Sequence, residues 1–337
     1  MNSTPRCLVI GAGIAGLSAA RRLHEGGFTV TVLDKGRVAG GRMSTRHSAD
    51  WVADHGAQYF TARDPDFRVE VARWQQAGAA ALWTPRLCAF EAGGVRASSE
   101  KLQRFVGVPG MTAPAQLLAE GLNLHNGITV TALRRDADGW RVDSAEQGEL
   151  DERFDAVVVA VPAPQAVPLL APVSSALASE ASRARMQGCW ALMLRPGAPL
   201  DLPFDAAFVN DGPLRWVARN GSKPGRDGQE TWTLHASSAW SEEHIEDDSD
   251  SVTQALVDAF ETLGGSAPAS CTAHRWRYAI TDSAVDGGCL WHPDEGLGLC
   301  GDWLNGGRVE GAWLSGRALA EQMLQNRGSG LELLHSV

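Results

Sequence analysis

The 337-residue sequence predicts an α/β protein with two domains, one built on a Rossmann-type parallel sheet and the other an α+β domain with an antiparallel sheet. Continuous apolar runs at residues 7–10 and 154–161 are typical of buried parallel strands. Between residues 186 and 278, alternating polar and apolar segments are instead typical of an antiparallel sheet. A chain of this length can bury a core in each of two domains.

A glycine-rich turn, Gly11-Ala12-Gly13-Ile14-Ala15-Gly16, directly follows the first strand and opens a segment with helical periodicity. A second strand over residues 28–33 then ends at Asp34, eighteen residues after Gly16. In this context Gly11 permits the tight turn, Gly13 lets a pyrophosphate approach the backbone, and Gly16 lets the helix pack close to the strand. The phosphates meet free N–H groups at the helix N-terminus, and Asp34 can accept hydrogen bonds from ribose hydroxyls. The stretch therefore predicts a dinucleotide-binding site.

Composition narrows the class of protein. The net charge of −10 argues against nucleic-acid binding, because that binding depends on cationic side chains. No apolar run approaches the ~20 residues that span a bilayer, and a first strand that begins by residue 7 leaves no room for a signal peptide. The six cysteines are scattered without a CxxC pair, so we interpret them as inert core thiols. These features predict a cytoplasmic protein that binds neither nucleic acid nor membrane.

The order of segments predicts that the chain enters and leaves the nucleotide-binding domain more than once. Helical spacing appears at residues 66–77, 112–122 and 252–263, and residues 128–142 have the pattern of a β-hairpin. We assign residues 1–64, 105–185 and 285–330 to the nucleotide-binding domain and residues 65–104 and 186–284 to a substrate domain.

Two further glycine-rich stretches are candidates for ligand contact. Residues 53–60 place Gly56 and polar side chains beside an aromatic pair, which suggests a loop that passes close to a ligand. Residues 297–302 read as a short strand closing on Gly-Asp, followed by a helix that begins after residues 306–312. His47, Asp54 and His55 match no known metal-ligand spacing, so we predict no metal site.

The glycine fingerprint, the strand-ending acid and Gly40-Gly41-Arg42 together resemble the glutathione-reductase-like flavoproteins and, within them, the flavin amine-oxidase superfamily. Over essentially its whole length, the chain resembles the bacterial renalases of that superfamily. The motifs that carry this resemblance are GGRMSTR (40–46), HGAQYFTARD (55–64), RNGSKPGRD (219–227), LHASSAWS (234–241), HRWRYA (274–279) and GDW…GGRVEGAWLSG (301–316). Several of them lie outside the generic FAD motifs.

The resemblance implies noncovalent FAD, with an Asp near the ribityl chain and a positive helix end near the N1/C2 carbonyl region of the flavin. The residues that we expect to bind FAD are Gly11, Gly13, Ile14, Ala15, Gly16, Asp34, Lys35, Gly41, Arg42, Gly56, Ala57, Gln58, Tyr59, Val130, Gly301, Asp302, Val309, Glu310, Gly311 and Ala312.

The resemblance also implies a reaction. Bacterial renalases transfer a hydride from the 2- and 6-dihydro isomers of NAD(P)H to flavin N5, giving NAD(P)+, and O2 is then reduced to H2O2. The expected partners are therefore a small dinucleotide substrate and O2. Amine oxidation is the alternative, and a flavin-binding protein without turnover is a third hypothesis. With only two tyrosines in the chain, the paired-tyrosine cage of an amine oxidase is hard to build.

Polar and aromatic residues of the substrate domain are the candidates for contact with substrate. Tyr59, Trp276 and Tyr278 could wall the nicotinamide, Asn220 could bind its carboxamide, and His235 is polar within an apolar strand; core packing is the alternative for the rings. Arg219, Lys223 and Arg226 lie in one loop and could bind the substrate's phosphates, with a solvated basic loop as the alternative.

Overall fold

The computed structural model describes residues 4–48, 51–92, 94–97, 101–226 and 230–334, with the side chains of 328–334 left aside. The strands in chain order are β1 (Arg6–Ile10), β2 (Thr29–Asp34), β3 (Thr45–His47), β4 (Val52–Asp54), β5 (Ala80–Trp83), β6 (Leu87–Glu91), β7 (Gly94–Ala97), β8 (Arg104–Gly107), β9 (Asn123–Asn126), β10 (Val130–Asp136), β11 (Gly139–Ser144), β12 (Gly148–Glu149), β13 (Ala156–Val159), β14 (Arg185–Pro196), β15 (Ala206–Val209), β16 (Leu214–Arg219), β17 (Trp232–Ala236), β18 (Pro268–Ser283), β19 (Cys289–His292) and β20 (Leu297–Cys300). The α-helices are α1 (Ile14–Glu25), α2 (Pro65–Gln76), α3 (Ala113–Ala119), α4 (Ala163–Leu170), α5 (Ser175–Ser182), α6 (Ser238–Glu243), α7 (Ser249–Thr262) and α8 (Val309–Leu334).

A six-stranded sheet in the order β19-β20-β13-β1-β2-β9 carries the glycine fingerprint. Its strands pair in parallel except β19, which is antiparallel to β20. Helix α8 crosses close to α1, because a Cβ on Gly316 would lie 2.0 Å from the Ala15 carbonyl oxygen. The predicted Rossmann-type parallel sheet is confirmed, and it places the carboxyl end of β1 at the start of α1.

A second sheet of seven strands has the order β18-β14-β17-β16-β15-β6-β7. It is antiparallel throughout except for the parallel pair β15–β6. One face packs on α7 through residues such as Leu192, Leu234 and Phe260. The opposite face holds the alternate residues of the same strands and lies against the loop at residues 54–59, whose Asp54 and His55 carbonyl oxygens accept hydrogen bonds from Thr233 and Trp276.

Local chemistry explains where several helices begin. Asp64 precedes α2, and its carboxylate accepts hydrogen bonds from the backbone N–H groups of Asp66 and Phe67, while Pro65 occupies the first helical position. Asp248 caps α7 in the same way through Asp250 and Ser251. None of the helices in the described ranges is long and apolar enough to cross a membrane.

The structure corrects two of the sequence-based elements. The helix predicted at 112–122 ends at Ala119, and the polar segment Asn123–Asn126 forms the edge strand β9 beside β2. Periodicity misses this strand because its residues are not apolar. The last helix runs over Val309–Leu334 rather than beginning at residue 313. The domain boundaries stay a prediction, and parts of the predicted domains (1–3, 49–50, 93, 98–100 and 227–229) lie outside the described residues.

Candidate functional site

The glycine fingerprint forms a tight turn between β1 and α1. Gly11 has a φ of 108°, which favours glycine. A Cβ on Gly16 would lie 1.9 Å from the Gly11 carbonyl oxygen, so only glycine lets the helix begin this close to the strand. A Cβ on Gly13 would meet nothing within 4 Å, which leaves open space in front of the N-terminus of α1. That space fits a pyrophosphate, because the first-turn N–H groups of α1 and the helix dipole face it.

Asp34 closes the fingerprint from the end of β2. Its carboxylate accepts hydrogen bonds from the backbone N–H of Ala12 and of Gly36, both at 2.6 Å. Each oxygen keeps a further lone pair for a ribose hydroxyl. Lys35 is exposed, and Val130 lies half-buried on β10, two residues after Ile128, whose N–H donates to the Asp34 carbonyl oxygen.

Arg42 and Asp302 join two distant cofactor motifs. The Arg42 guanidinium makes a two-point ion pair with the Asp302 carboxylate, with Nη1 at 3.0 Å from Oδ2. Thr281 of β18 donates to the same carboxylate at 3.2 Å, and Arg42 also donates to the Ala279 carbonyl oxygen. The pair therefore lies where the seven-stranded sheet meets the nucleotide-binding motifs.

The loop at residues 54–59 packs directly on Arg42. The N–H of Ala57 donates to the Arg42 carbonyl oxygen at 2.9 Å, and a Cβ on Gly56 would lie 1.9 Å from that same oxygen. Gln58 stiffens the loop, since its Nε2 donates to the Asp54 and Gly56 carbonyl oxygens.

The start of α8 is held against the chain that precedes α2. The carboxylate of Glu310 accepts hydrogen bonds from the N–H groups of Arg63 and Asp64, at 2.6 and 2.7 Å. Glycine is required at Gly311, because a Cβ there would lie 1.8 Å from the Asn305 carbonyl oxygen. Other predicted cofactor residues lie in these same segments. They are Ile14 and Ala15 in α1, Gly41 before Arg42, Tyr59 after Gln58, Gly301 before Asp302, and Val309 and Ala312 in α8.

The structure contradicts the predicted phosphate site. Lys223 and Arg226 both point at the buried carboxylate of Asp54, with Lys223 Nζ at 3.0 Å and Arg226 Nη2 at 2.6 Å from Oδ2. Arg219 donates to the Leu200 carbonyl oxygen at 2.7 Å and lies over the ring of Trp232. The alternative of a solvated basic loop is also wrong for Lys223, whose side chain is fully buried.

We call Asp54, Lys223 and Arg226 the Asp54 cluster. Burial alone would raise the pKa of Asp54, but Lys223, Arg226 and the Met111 N–H outweigh it and hold that pKa below its usual range. Burial lowers the pKa of Lys223, against the opposing effect of Asp54. Lys223 also donates to Gln58 Oε1 at 3.2 Å, so the cluster helps to fix the loop at residues 54–59.

Asn220 is a structural residue of the same region. Its Oδ1 accepts from the Asp54 N–H at 3.0 Å, its Nδ2 donates to Thr233 Oγ1 at 2.9 Å, and the residue has no exposed surface. The prediction that Asn220 binds a substrate carboxamide is therefore contradicted, because the amide is already satisfied and out of reach.

Three histidines and a tryptophan form what we call the imidazole wall. On the face of the seven-stranded sheet opposite α7, His274 of β18 and His235 of β17 flank Ala191 in register. The rings of His55 and Trp276 stack at 5.2 Å, and His274 meets both edge-on at 4.8 and 4.5 Å. The carbonyl oxygen of His55 accepts from Trp276 Nε1 at 3.0 Å, and His235 Nε2 lies 3.2 Å from it.

The sequence singled out His235 and Trp276 of the imidazole wall but missed His55 and His274 as contacts. Residue spacing offered one signal, since His274 lies two residues before Trp276 and therefore on the same face of β18. Tyr278 is half-buried on the same strand. Tyr59 packs on Trp216 of β16 and on Trp83, with ring centroids 5.5 and 6.5 Å apart.

All three histidines are held neutral. Burial lowers the pKa of His55 to about 3 and that of His235 to about 4. Burial also lowers the pKa of His274, with a further contribution from the positive charge of Arg46. The wall therefore presents uncharged rings at neutral pH.

These shifts predict a pH dependence of stability. The unfolded chain takes up protons on His55 and His235 below their ordinary pKa of about 6.5, whereas the folded chain does not. The contribution of these two neutral histidines to the free energy of unfolding is therefore fully present above about pH 6.5 and is lost as the pH falls toward 4. We expect the Tm of the holoprotein to fall between pH 7 and pH 5, and a His55→Gln/His235→Gln double variant to show a smaller fall. His244→Gln, on a half-buried histidine paired with Asp247 and outside the imidazole wall, is the control. Identical pH profiles for the double variant and the wild type would contradict the prediction.

The parallel sheet, the fingerprint and the Arg42–Asp302 pair define a protein that binds a dinucleotide cofactor. A family model described as "NAD(P)-binding Rossmann-like domain" matches residues 9–72, and one described as "Flavin containing amine oxidoreductase" matches residues 85–324. Because the second covers most of the chain, the protein belongs to the flavin containing amine oxidoreductase family. Among the described residues, no group of three or more His, Cys, Asp or Glu side chains could hold a metal ion.

Curated relatives match over short stretches. The chain is 47% identical over 58 residues to "Probable polyamine oxidase 4" of Arabidopsis thaliana, which is 17% of this chain and 12% of that protein. It is 34% identical over 70 residues to an L-amino-acid oxidase of Siganus canaliculatus, 20% of this chain and 13% of that protein. The matches thus span only a small part of either relative.

Solved structures match over nearly the whole chain. A protein from Exiguobacterium sp. 255-15 assigned as a protoporphyrinogen oxidase superposes with a TM-score of 0.77 at 13% identity, over 96% of this chain and 99% of that chain. Cyclohexylamine oxidase from Brevibacterium oxydans IH-35A has a TM-score of 0.72 at 13% identity, over 97% and 100%. At this identity the likeness shows the shared fold alone.

Proposed function

We propose that the protein is a renalase-like oxidase. It oxidises the 2- and 6-dihydro isomers of NAD(P)H to NAD(P)+ and reduces O2 to H2O2. The renalase-like motifs at residues 219–227, 234–241 and 274–279 support this proposal, because they lie outside the motifs that serve FAD in general. Two of the three motifs supply side chains of the imidazole wall.

The neutral imidazole wall is the observation that carries the proposal. Its stacked and edge-on rings suit a flat, uncharged ring such as dihydronicotinamide, which gains from stacking and from the exclusion of water. Asp54, the carboxylate whose charge acts on the pKa of His55, already holds Lys223 and Arg226 and is not free to pair with a protonated amine.

In the proposed hydride transfer, the side chains need only hold the substrate in position. FAD supplies the hydride acceptor when bound, and a dihydronicotinamide needs no deprotonation to donate. The strongly lowered pKa values of His55 and His235 make both rings weak bases, which agrees with a reaction that uses no general base. Their role in the proposal is to hold the substrate ring in place.

Amine oxidation is the second candidate, because the description of the matching family favours it. The surroundings of Tyr59 disfavour it. The guanidinium of Arg104 lies 5.2 Å from the centre of the Tyr59 ring, and this cation occupies a face that an amine cage would need.

We also propose that FAD is bound noncovalently in a cytoplasmic protein. Cys7 and Cys300 have no exposed surface, and burial raises the pKa of both thiols, so neither is a good nucleophile toward the flavin. All six cysteines are free, which suits a reducing compartment.

The deciding experiment is anaerobic stopped-flow of the holoprotein with 6-dihydro-NAD, followed by the flavin absorbance near 450 nm. We expect rapid bleaching, and reoxidation with release of H2O2 when air is admitted. Failure of both dihydro isomers to bleach a flavin that dithionite still reduces would overturn the proposal. Bleaching by an amine panel would then establish the second candidate, and binding of either ligand class without bleaching would indicate a flavin-binding protein without turnover.

A further inference from the structure

Arg46 lies on the opposite face of the β3–β4 hairpin from the Asp54 cluster. In the hairpin register Thr45 pairs with Asp54 and Arg46 pairs with Ala53. Because side chains alternate along a strand, Arg46 and Ala53 share the second face. Ala53 packs against Met193 of β14, so this face turns toward the seven-stranded sheet that carries the imidazole wall.

The charge of Arg46 reaches the imidazole wall. Met193 lies two residues along β14 from Ala191, the residue that His235 and His274 flank, so the face that carries Arg46 is turned toward these rings. In agreement with this placement, the charge of Arg46 contributes to the lowered pKa of His55 and of His274. Arg46 is half-buried, and no carboxylate of the described residues forms an ion pair with it. Its charge therefore differs from those of Arg219, Lys223 and Arg226, each of which has a partner inside the protein.

We infer that Arg46 is a specificity-determining residue that binds an anionic group of the substrate while the adjacent imidazole wall holds the substrate's neutral ring. This inference rests on the proposed function and moves the phosphate contact from the loop at residues 219–226 to β3. A guanidinium binds a phosphate through two parallel N–H donors, which gives orientation as well as affinity. Dihydronicotinamide dinucleotides combine an uncharged ring and a phosphate in one molecule, whereas simple amines carry no phosphate.

The pyrophosphate of FAD is a second anionic group that an arginine at this place could bind. Arg42 is the better candidate for that contact, because it lies in the Gly-Gly-Arg motif and joins Asp302. The experiment must nevertheless separate the two sources, and retention of FAD does so.

The test compares Arg46→Gln with the wild type as holoproteins in anaerobic flavin reduction. The two substrates are 6-dihydro-NAD and 6-dihydronicotinamide riboside, which has the same ring and no phosphate. We expect the apparent Kd for the dinucleotide to rise about tenfold or more, as for the loss of a hydrogen bond to a charged group. The Kd for the riboside, the limiting rate of reduction and the flavin-to-protein ratio are expected to stay unchanged. Arg183→Gln, on an exposed arginine paired with Glu180, is the matched control.

The outcomes separate this inference from the proposed function. Unchanged dinucleotide affinity in Arg46→Gln, with normal bleaching, overturns the inference and leaves the function standing. Loss of FAD from Arg46→Gln assigns the residue to the cofactor and also overturns it. If the wild type is not bleached, binding of NAD+ is measured by the perturbation of the flavin spectrum. Weaker NAD+ binding by Arg46→Gln then supports the anion site without the proposed reaction, and absence of NAD+ binding by the wild type overturns both.

Discussion

Replacing Asp54 with Asn is expected to lower the free energy of unfolding by about 3–5 kcal/mol, the range for breaking a buried ion pair on one side. Asp54 is fully buried and holds two cations, Lys223 and Arg226. Its other oxygen accepts hydrogen bonds from Thr45 Oγ1 and the Met111 N–H. The neutral amide would leave both cations without a counter-charge in a site closed to water.

Thermal and urea unfolding of purified Asp54→Asn measure the loss. Asp136→Asn serves as control, because its ion pair with Arg141 is solvent-exposed and such pairs contribute little. The double variant Asp54→Asn/Lys223→Met removes one buried cation as well and is expected to recover part of the stability. Wild-type unfolding of Asp54→Asn would contradict the assigned role, and no recovery in the double variant would place the loss elsewhere in the cluster.

In the glycine fingerprint, Gly16→Ala is expected to disrupt the fold, whereas Gly13→Ala is expected to weaken only the binding of FAD. Gly16→Ala should destabilise the fold by at least about 1–3 kcal/mol and abolish FAD binding, because its Cβ would lie 1.9 Å from the Gly11 carbonyl oxygen. This clash outweighs the usual gain of up to about 1 kcal/mol from alanine in a helix. Gly13→Ala should instead leave the fold intact, because its φ is −76° and its Cβ meets nothing within 4 Å. Its methyl group would occupy the approach of the pyrophosphate, so FAD binding should weaken.

The measurements are the flavin-to-protein absorbance ratio, circular dichroism and Tm for both variants side by side. The expected pattern is a folded, colourless Gly13→Ala and a poorly folded Gly16→Ala. Normal flavin content in Gly13→Ala would mean that the phosphates do not approach α1 at this residue. Normal stability of Gly16→Ala would show that β1 and α1 can move apart without cost.

The sequence by itself determined those features of the fold that depend on residues close together in the chain. The apolar runs, the turn at Gly11 and the acid at Asp34 act within about thirty residues, so spacing alone indicates a strand–turn–helix–strand unit and a nucleotide cofactor. The change to alternating patterns after residue 186 indicates the antiparallel sheet for the same reason. The edge strand β9 was missed because a polar edge strand has no such pattern.

Only the tertiary structure decided which polar side chains face a ligand and which support the fold. Asp54 and Lys223 are 169 residues apart in the chain, and their contact turns a basic loop into an internal ion-pair cluster. The stacking of His55 on Trp276 joins residues from a loop and a strand with no common periodicity. A charged or polar residue has the same appearance in a sequence whether it is paired or free. Its role follows from burial and from partners that folding brings together over long distances.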